Sequence, residues 1–322
     1  MPQAALLRRA MLSVAALAAV GVSVAAGTAG SEQAGSVQRS RNEVHADYLA
    51  AHATVAADPG WTGDGAACDA GTISVAYQQQ QVDRINYYRR LAGLEHDVEL
   101  DTGMSAEAQE AALIIWANAA VDHNPSPSAA CYSETGATGS FNSDLYQRTG
   151  FDALRGFMED PGEANVSVGH RNWLLMPQLR SVGIGEVPTT ASEVDGGYAV
   201  NFRNGFELEK DTAVVAWPSA GYFPEELVDE RWSVSIYGAD FSNASVAVRR
   251  DGEPIDAPIV FNERRPGVLP ASIITFTPEG IDDAVDGRDT RYEVSITGVV
   301  SDVGSTIEYE VVTFDAEAPL AD

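Results

Sequence analysis

The sequence predicts an α+β chain, a unit of segregated helical and strand layers followed by an all-β, immunoglobulin-like sandwich. Helical periodicities come first, between Gln79 and Phe157. Short strand-like apolar runs follow as far as Trp217. Beyond the break Trp217-Pro218-Ser219-Ala220-Gly221 only alternating strands and turns occur. Helices segregated from strands argue against a doubly wound sheet, and 322 residues accommodate two such units.

Arg8 and Arg9 precede an apolar run from Ala10 to Ala26, and small residues follow at Gly27-Thr28-Ala29. This is the layout of a secretory signal peptide, assigned to 1–29. An uncleaved anchor is the alternative, although the run is short for a membrane span and no second one exists. Residues 30–67 are rich in Ala, Ser, Gln and Gly and read as a flexible tether. The layered unit is assigned to 68–218 and the sandwich to 219–322.

Within the first unit, Val82, Ile85, Tyr88 and Leu91 recur at three-residue spacing, which predicts a helix over Gln79–Gly93 with Gly93 past its end. Ala108, Ala112, Ile115 and Ala119 predict a second helix over Ser105–Asp122, N-capped by Ser105. Its small face predicts close packing. A third helix is expected over Ser143–Phe157, before Pro161-Gly162. Ser181–Val187, Gly197–Phe202 and Thr212–Trp217 read as strands. In the sandwich, Trp232, Val234 and Ile236 alternate with Ser233, Ser235 and Tyr237, and the same period of two recurs at Tyr292/Val294/Ile296 and Ile307/Tyr309/Val311.

With 47 acidic against 20 basic side chains the formal net charge is -27. Such a surface repels phosphate backbones and anionic lipid headgroups, so nucleic acid is excluded as a partner. Solubility is the reading of the charge, with cation binding as its alternative. Cys68 and Cys131 are the only cysteines. In an exported chain an even pair predicts one disulfide; two buried thiols are the alternative.

His123 follows the second helix in Asp122-His123-Asn124-Pro125, and His170 lies in Gly169-His170-Arg171-Asn172-Trp173-Leu174-Leu175. Imidazoles from separate elements can ligate a metal or move protons near neutral pH. Together with Ile85-Asn86-Tyr87-Tyr88-Arg89 and the strand Ser181-Val182-Gly183-Ile184-Gly185, these segments resemble the CAP superfamily of cysteine-rich secretory, antigen 5 and pathogenesis-related 1 proteins, in its bacterial secreted form. The resemblance covers about Cys68 to Trp217.

That resemblance implies an α-β-α sandwich with a central antiparallel sheet. It also implies a cleft lined by two histidines and two acids, which in some members bind a divalent metal. His123 and His170 match the histidines. Asp160, three residues after Phe157, matches one acid, with Glu159 beside it. The other acid position falls on Ser143 in Asn142-Ser143-Asp144-Leu145, which leaves Asp144 or Glu134 as substitutes. The implied cleft comprises His123, His170, Asp160, Ser143, Glu159 and Arg171. The implied metal set, for an ion such as zinc, is His123, His170 and Asp160; a metal-free polar cleft is the alternative, because zinc usually takes three protein ligands plus water and only one acid is matched. Arg171 either orients an anionic ligand or pairs with a carboxylate of the fold.

The chain has no Gly-x-Ser-x-Gly elbow, no His-Glu-x-x-His and no phosphate loop. A protease- or esterase-like hydrolase would have to use His123 or His170 as base, Ser143 as nucleophile and Asp160 to orient the imidazole. The favoured expectation is a non-catalytic extracellular or cell-wall-associated protein that binds a small molecule, lipid or peptide. A purely structural cell-surface module is the third class.

Overall fold

The computed structural model describes residues 32–33, 39–188, 196–207, 211–263, 271–281 and 288–318. The expected signal peptide over 1–29 lies outside them. The first half runs β1 (Glu32–Gln33), α1 (Arg41–Asp47), α2 (Val75–Leu91), β2 (Glu99–Leu100), α3 (Thr102–Asn118), α4 (Glu134–Phe141), β3 (Ser143–Tyr146), α5 (Gly150–Glu159), α6 (Gly169–Leu174), β4 (Ser181–Val187) and β5 (Gly197–Asn201). The second half is β6 (Val215–Trp217), β7 (Gly221–Pro224), β8 (Trp232–Ile236), β9 (Ser245–Arg250), β10 (Glu253–Ile255), β11 (Ile259–Phe261), β12 (Ser272–Phe276), β13 (Thr290–Thr297) and β14 (Thr306–Phe314).

In the first half a sheet of order β2-β4-β5-β3 is covered on both faces. Its pairs are antiparallel except for the short parallel contact of β2 with β4. On one face Ala199 and Leu145 meet Ala108, Ala111 and Ile115 of α3. On the other, Val182, Ile184, Tyr198 and Val200 join the core that includes Ile85 and Tyr88 of α2 and Leu154 and Phe157 of α5. The α3 helix lies almost on the strand backbone. A Cβ at Gly183 would stand 2.2 Å from the Met104 carbonyl carbon, and one at Gly185 would stand 2.2 Å from that of Ala108. Glycines in β4 and alanines in α3 are therefore one packing device.

Beyond Val182 the outer edge of β4 has no partner strand among the described residues, and buried backbone groups need partners. Side chains continue the ladder. Ser105 Oγ accepts from Ile184 N, Gln78 Nε2 donates to Ile184 O, and Gln109 both accepts from Glu186 N and donates to Glu186 O. These contacts explain why Gln78, Ser105 and Gln109 are buried in the two long helices.

Several boundaries differ from expectation. The first helix starts at Val75, capped by Ser74. The second starts at Thr102 because Asp101 accepts from Met104 N; Ser105 serves the sheet instead. The helix expected over Ser143–Phe157 is a strand, β3, followed by α5, with Gly150 in the left-handed region (φ 61°) where the chain turns. The tether expected over 30–67 is structured from residue 39. Ser40 and Glu43 form a reciprocal capping box on α1. Val44 and Tyr48, four residues apart, are buried together, and Arg84 donates to Ala51 O and His52 O.

The second half is a sandwich of two sheets, β1-β14-β13-β9-β10 with β7 on β14, and β11-β12-β8-β6. They meet across Trp232 and Tyr292, whose rings lie edge to face at 5.1 Å. Val215–Trp217, read with the first unit in the sequence, pairs with β8 and so extends a sandwich sheet. The serines of β8 are buried as well, because the first half covers that face. Cys68 and Cys131 form the disulfide, with Cα atoms 5.1 Å apart.

Candidate functional site

The site is built at the C-terminal end of α5. Asp160 follows the last helical residue in the left-handed conformation (φ 51°, ψ 57°), and its N–H donates to Gly156 O at 2.8 Å. Aspartate tolerates that region better than most residues. The turn points the carboxylate at the first residues of α6. Asp160 Oδ1 accepts from His170 Nδ1 at 2.8 Å, and Oδ2 accepts from the His170 backbone N–H at 3.0 Å. One carboxylate thus holds both the ring and the main chain of the same residue. The His170 ring lies against Phe157, with centroids 5.2 Å apart.

Asp160 is 1% exposed, whereas the His170 side chain is 23% exposed. With Nδ1 committed, Nε2 is the donor left for a ligand. Burial lowers the His170 pKa, but the Asp160 hydrogen bond and the charges of Asp144 and Asp160 outweigh it and raise the value to about 9. His170 is therefore an imidazolium at neutral pH.

The alternation of β3 decides which neighbour supplies the second acid. Ser143 and Leu145 turn toward α3 and α4: Ser143 Oγ donates to Gly139 O at 2.7 Å and Leu145 packs on Ala108. Asp144 and Tyr146 turn the other way, and Tyr146 meets Phe157 edge to face at 5.4 Å. The Asp144 carboxyl is buried beside His170, and its Oδ2 has no hydrogen-bond partner. Burial pushes its pKa well up, opposed by the attraction of His170 and reinforced by the repulsion of Asp160. Asp144, not Ser143, is the acid near His170. Glu134 stays exposed in the first turn of α4.

The remaining expected residues do not join this group. His123 is exposed, and its Nδ1 donates to Ser140 O at 2.9 Å. No hydrogen bond or ion pair connects it to His170, Asp160 or Asp144. Glu159 is exposed and, with Arg155, Pro161, Asp229 and Arg231, lines a separate cavity of about 180 Å³. Arg171 is buried at 1% exposure. It pairs with Asp229 at 3.0 Å and donates to Met158 O and Arg231 O, so it serves the fold and does not face a ligand.

The zinc expectation does not fit these residues. Both oxygens of Asp160 are committed to His170. Among the described residues no three His, Cys, Asp or Glu side chains form a group able to hold a metal ion. A Ser143-dependent hydrolase is also poorly served, because that hydroxyl is buried and bonded on the opposite side of β3.

Residues 82–200 match the family described as the Cysteine-rich secretory protein family, CAP. No curated protein matches the chain, and no solved structure matches it.

Proposed function

Because residues 82–200 match the CAP family, we propose that the chain is a non-catalytic extracellular binding protein that presents His170 to a small molecule, lipid or peptide. The ligand's contribution is a hydrogen-bond acceptor, neutral or anionic, for the Nε2–H of the imidazolium. The observation that carries this reading is the His170–Asp160 pair. An imidazole already protonated at neutral pH is a poor general base, and the Ser143 hydroxyl is bonded to Gly139 O on the other side of β3. The disulfide and the export-type N-terminus support an extracellular setting. Among the described residues no helix is long and apolar enough to cross a membrane.

Mass spectrometry of molecules co-purifying with the full chain tests the proposal. A compound retained by the parent and lost from His170→Gln is the expected result. Identical extracts from the two proteins overturn it. So does ester or casein turnover that disappears in Ser143→Ala.

A further inference from the structure

The loop and helix that carry the His170–Asp160 pair are bonded at several points to the second half of the chain. The last carbonyls of a helix have no partners within it. In α5 and the turn after it, these carbonyls are taken by two arginines. Arg171 Nε donates to Met158 O at 2.5 Å and Nη2 to Glu159 O at 3.5 Å, while Arg231 Nη1 donates to Asp160 O at 2.9 Å. Arg231 immediately precedes β8.

Arg171 is itself fixed from the sandwich side. It donates to Asp229 Oδ2 at 3.0 Å, to Arg231 O at 2.8 Å and to Ser233 Oγ at 3.2 Å. Asp229, 4% exposed, also accepts from Trp217 Nε1 at 3.1 Å and pairs with Arg155 at 2.6 Å. Further along the segment, Thr275 Oγ1 donates to Val166 O at 2.6 Å, Val168 packs against Phe261 and Ile273, and Asn172 Nδ2 donates to Ala271 O at 3.0 Å.

We propose that the sandwich is a working part of the site rather than a spacer. Arg231 is a positioning residue that holds Asp160 in the left-handed turn from which its carboxylate reaches the backbone N–H and Nδ1 of His170. A non-glycine residue persists in that conformation only where its surroundings enforce it. Here the enforcing contact on the Asp160 peptide comes from Arg231, some 70 residues away along the chain. Without it the turn can relax, and the two bonds to His170 share the consequence because they leave from one carboxylate. The importance of this for ligand binding rests on the function proposed above; the positioning itself does not.

The test uses the full chain with ¹⁵N-labelled histidine and follows solvent exchange of the His170 Nδ1 proton by NMR. In Arg231→Ala exchange is expected to accelerate roughly tenfold, the effect of losing a charged hydrogen bond that stabilises the closed arrangement. Arg231→Lys, which keeps a cationic donor, restores most of the protection. Ile296→Ala destabilises the sandwich core without touching residues 158–174 and leaves the exchange near the parent rate. If Arg231→Ala does not fold, Arg231→Gln replaces it with the same expected direction. Parent-like exchange in the folded Arg231 variant overturns the positioning role, and so does equal acceleration in Ile296→Ala. Faster exchange with an undiminished co-purifying ligand leaves the positioning role standing and overturns the reading of His170 as the ligand contact.

Discussion

Raising the pH should weaken this protein through one identifiable residue. The folded His170 pKa is about 9, against 6.5 for an ordinary histidine. A group whose pKa is raised by folding contributes stability that is fully present below the unfolded value and disappears as pH rises through the folded one. The window for His170 is therefore between about pH 6.5 and 9. At 1.36 kcal/mol per pH unit the whole contribution is about 3 kcal/mol. Residual exposure of the ring makes this an upper figure, because solvent screens the pair.

Urea unfolding at pH 6, 7.5, 9 and 10 measures the effect as the difference between parent and His170→Gln, in which the titrations of groups not coupled to His170 cancel. The gap should be widest at pH 6 and shrink by about 2–3 kcal/mol by pH 10. In an Asp160→Asn background the pH-dependent difference should shrink markedly, since the substitution removes the hydrogen bond and one of the two charges that sustain the imidazolium. A gap that stays constant across the range refutes the assignment of His170 as a charged group held by Asp160.

Three further outcomes follow from other parts of the molecule. Gly185→Ala places a methyl 2.2 Å from the Ala108 carbonyl carbon; overpacking should cost about 3 kcal/mol, read as a lower urea midpoint, and a neutral result would mean α3 can lift off the sheet without penalty. Cys68→Ser with Cys131→Ser opens a covalent loop spanning 63 positions and should lower stability by about 4 kcal/mol in the chain-entropy account, checked by denaturant unfolding of the double variant. Asp144→Asn replaces a buried carboxyl whose Oδ2 lacks a partner. Its raised pKa means ionisation opposes folding above the ordinary carboxyl range, so the variant should be more stable at pH 7 by about 1 kcal/mol. A clear drop in melting temperature would show instead that the attraction between Asp144 and His170 outweighs the cost of burying the carboxyl.

Much of the α+β layout and half of the site were legible in the residues. The Gly169–Leu175 segment singled out His170, whereas Asp160, three residues after Phe157, was indicated only by the family resemblance. The second acid was misplaced because a four-residue strand was absorbed into a longer helix. Leu145, Leu154 and Phe157 fit a helical face well enough to hide the alternation of Ser143, Asp144, Leu145 and Tyr146. Only that alternation shows which side chains share a side. The capping box at Ser40 and the Val44/Tyr48 pair were concealed by the low-complexity composition around them. Arg171 was ambiguous because its partner, Asp229, lies 58 positions away and beyond the apparent boundary between the two halves. Long-range pairing of this kind leaves no local periodicity to read.

The charge of the whole chain bears on what His170 can select. A net charge of -27 repels anions at long range, so the field of the protein does not steer an acidic ligand toward the imidazolium. At physiological salt that field fades within about 8 Å, leaving contact with Nε2–H as the discriminating interaction. Asp160 and Asp144 stand on the inner side of the ring, so under the proposed function a ligand approaches from the exposed side. Its selection then depends on the hydrogen-bond geometry of a single donor, while the buried ring of Phe157 only backs the imidazole. Accurate placement of the imidazole therefore matters more than the amount of positive charge it carries. Placement is what Asp160, Arg171 and Arg231 supply, and an acidic surface is compatible with it because the pair that does the holding is shielded from the surface by the two halves of the chain.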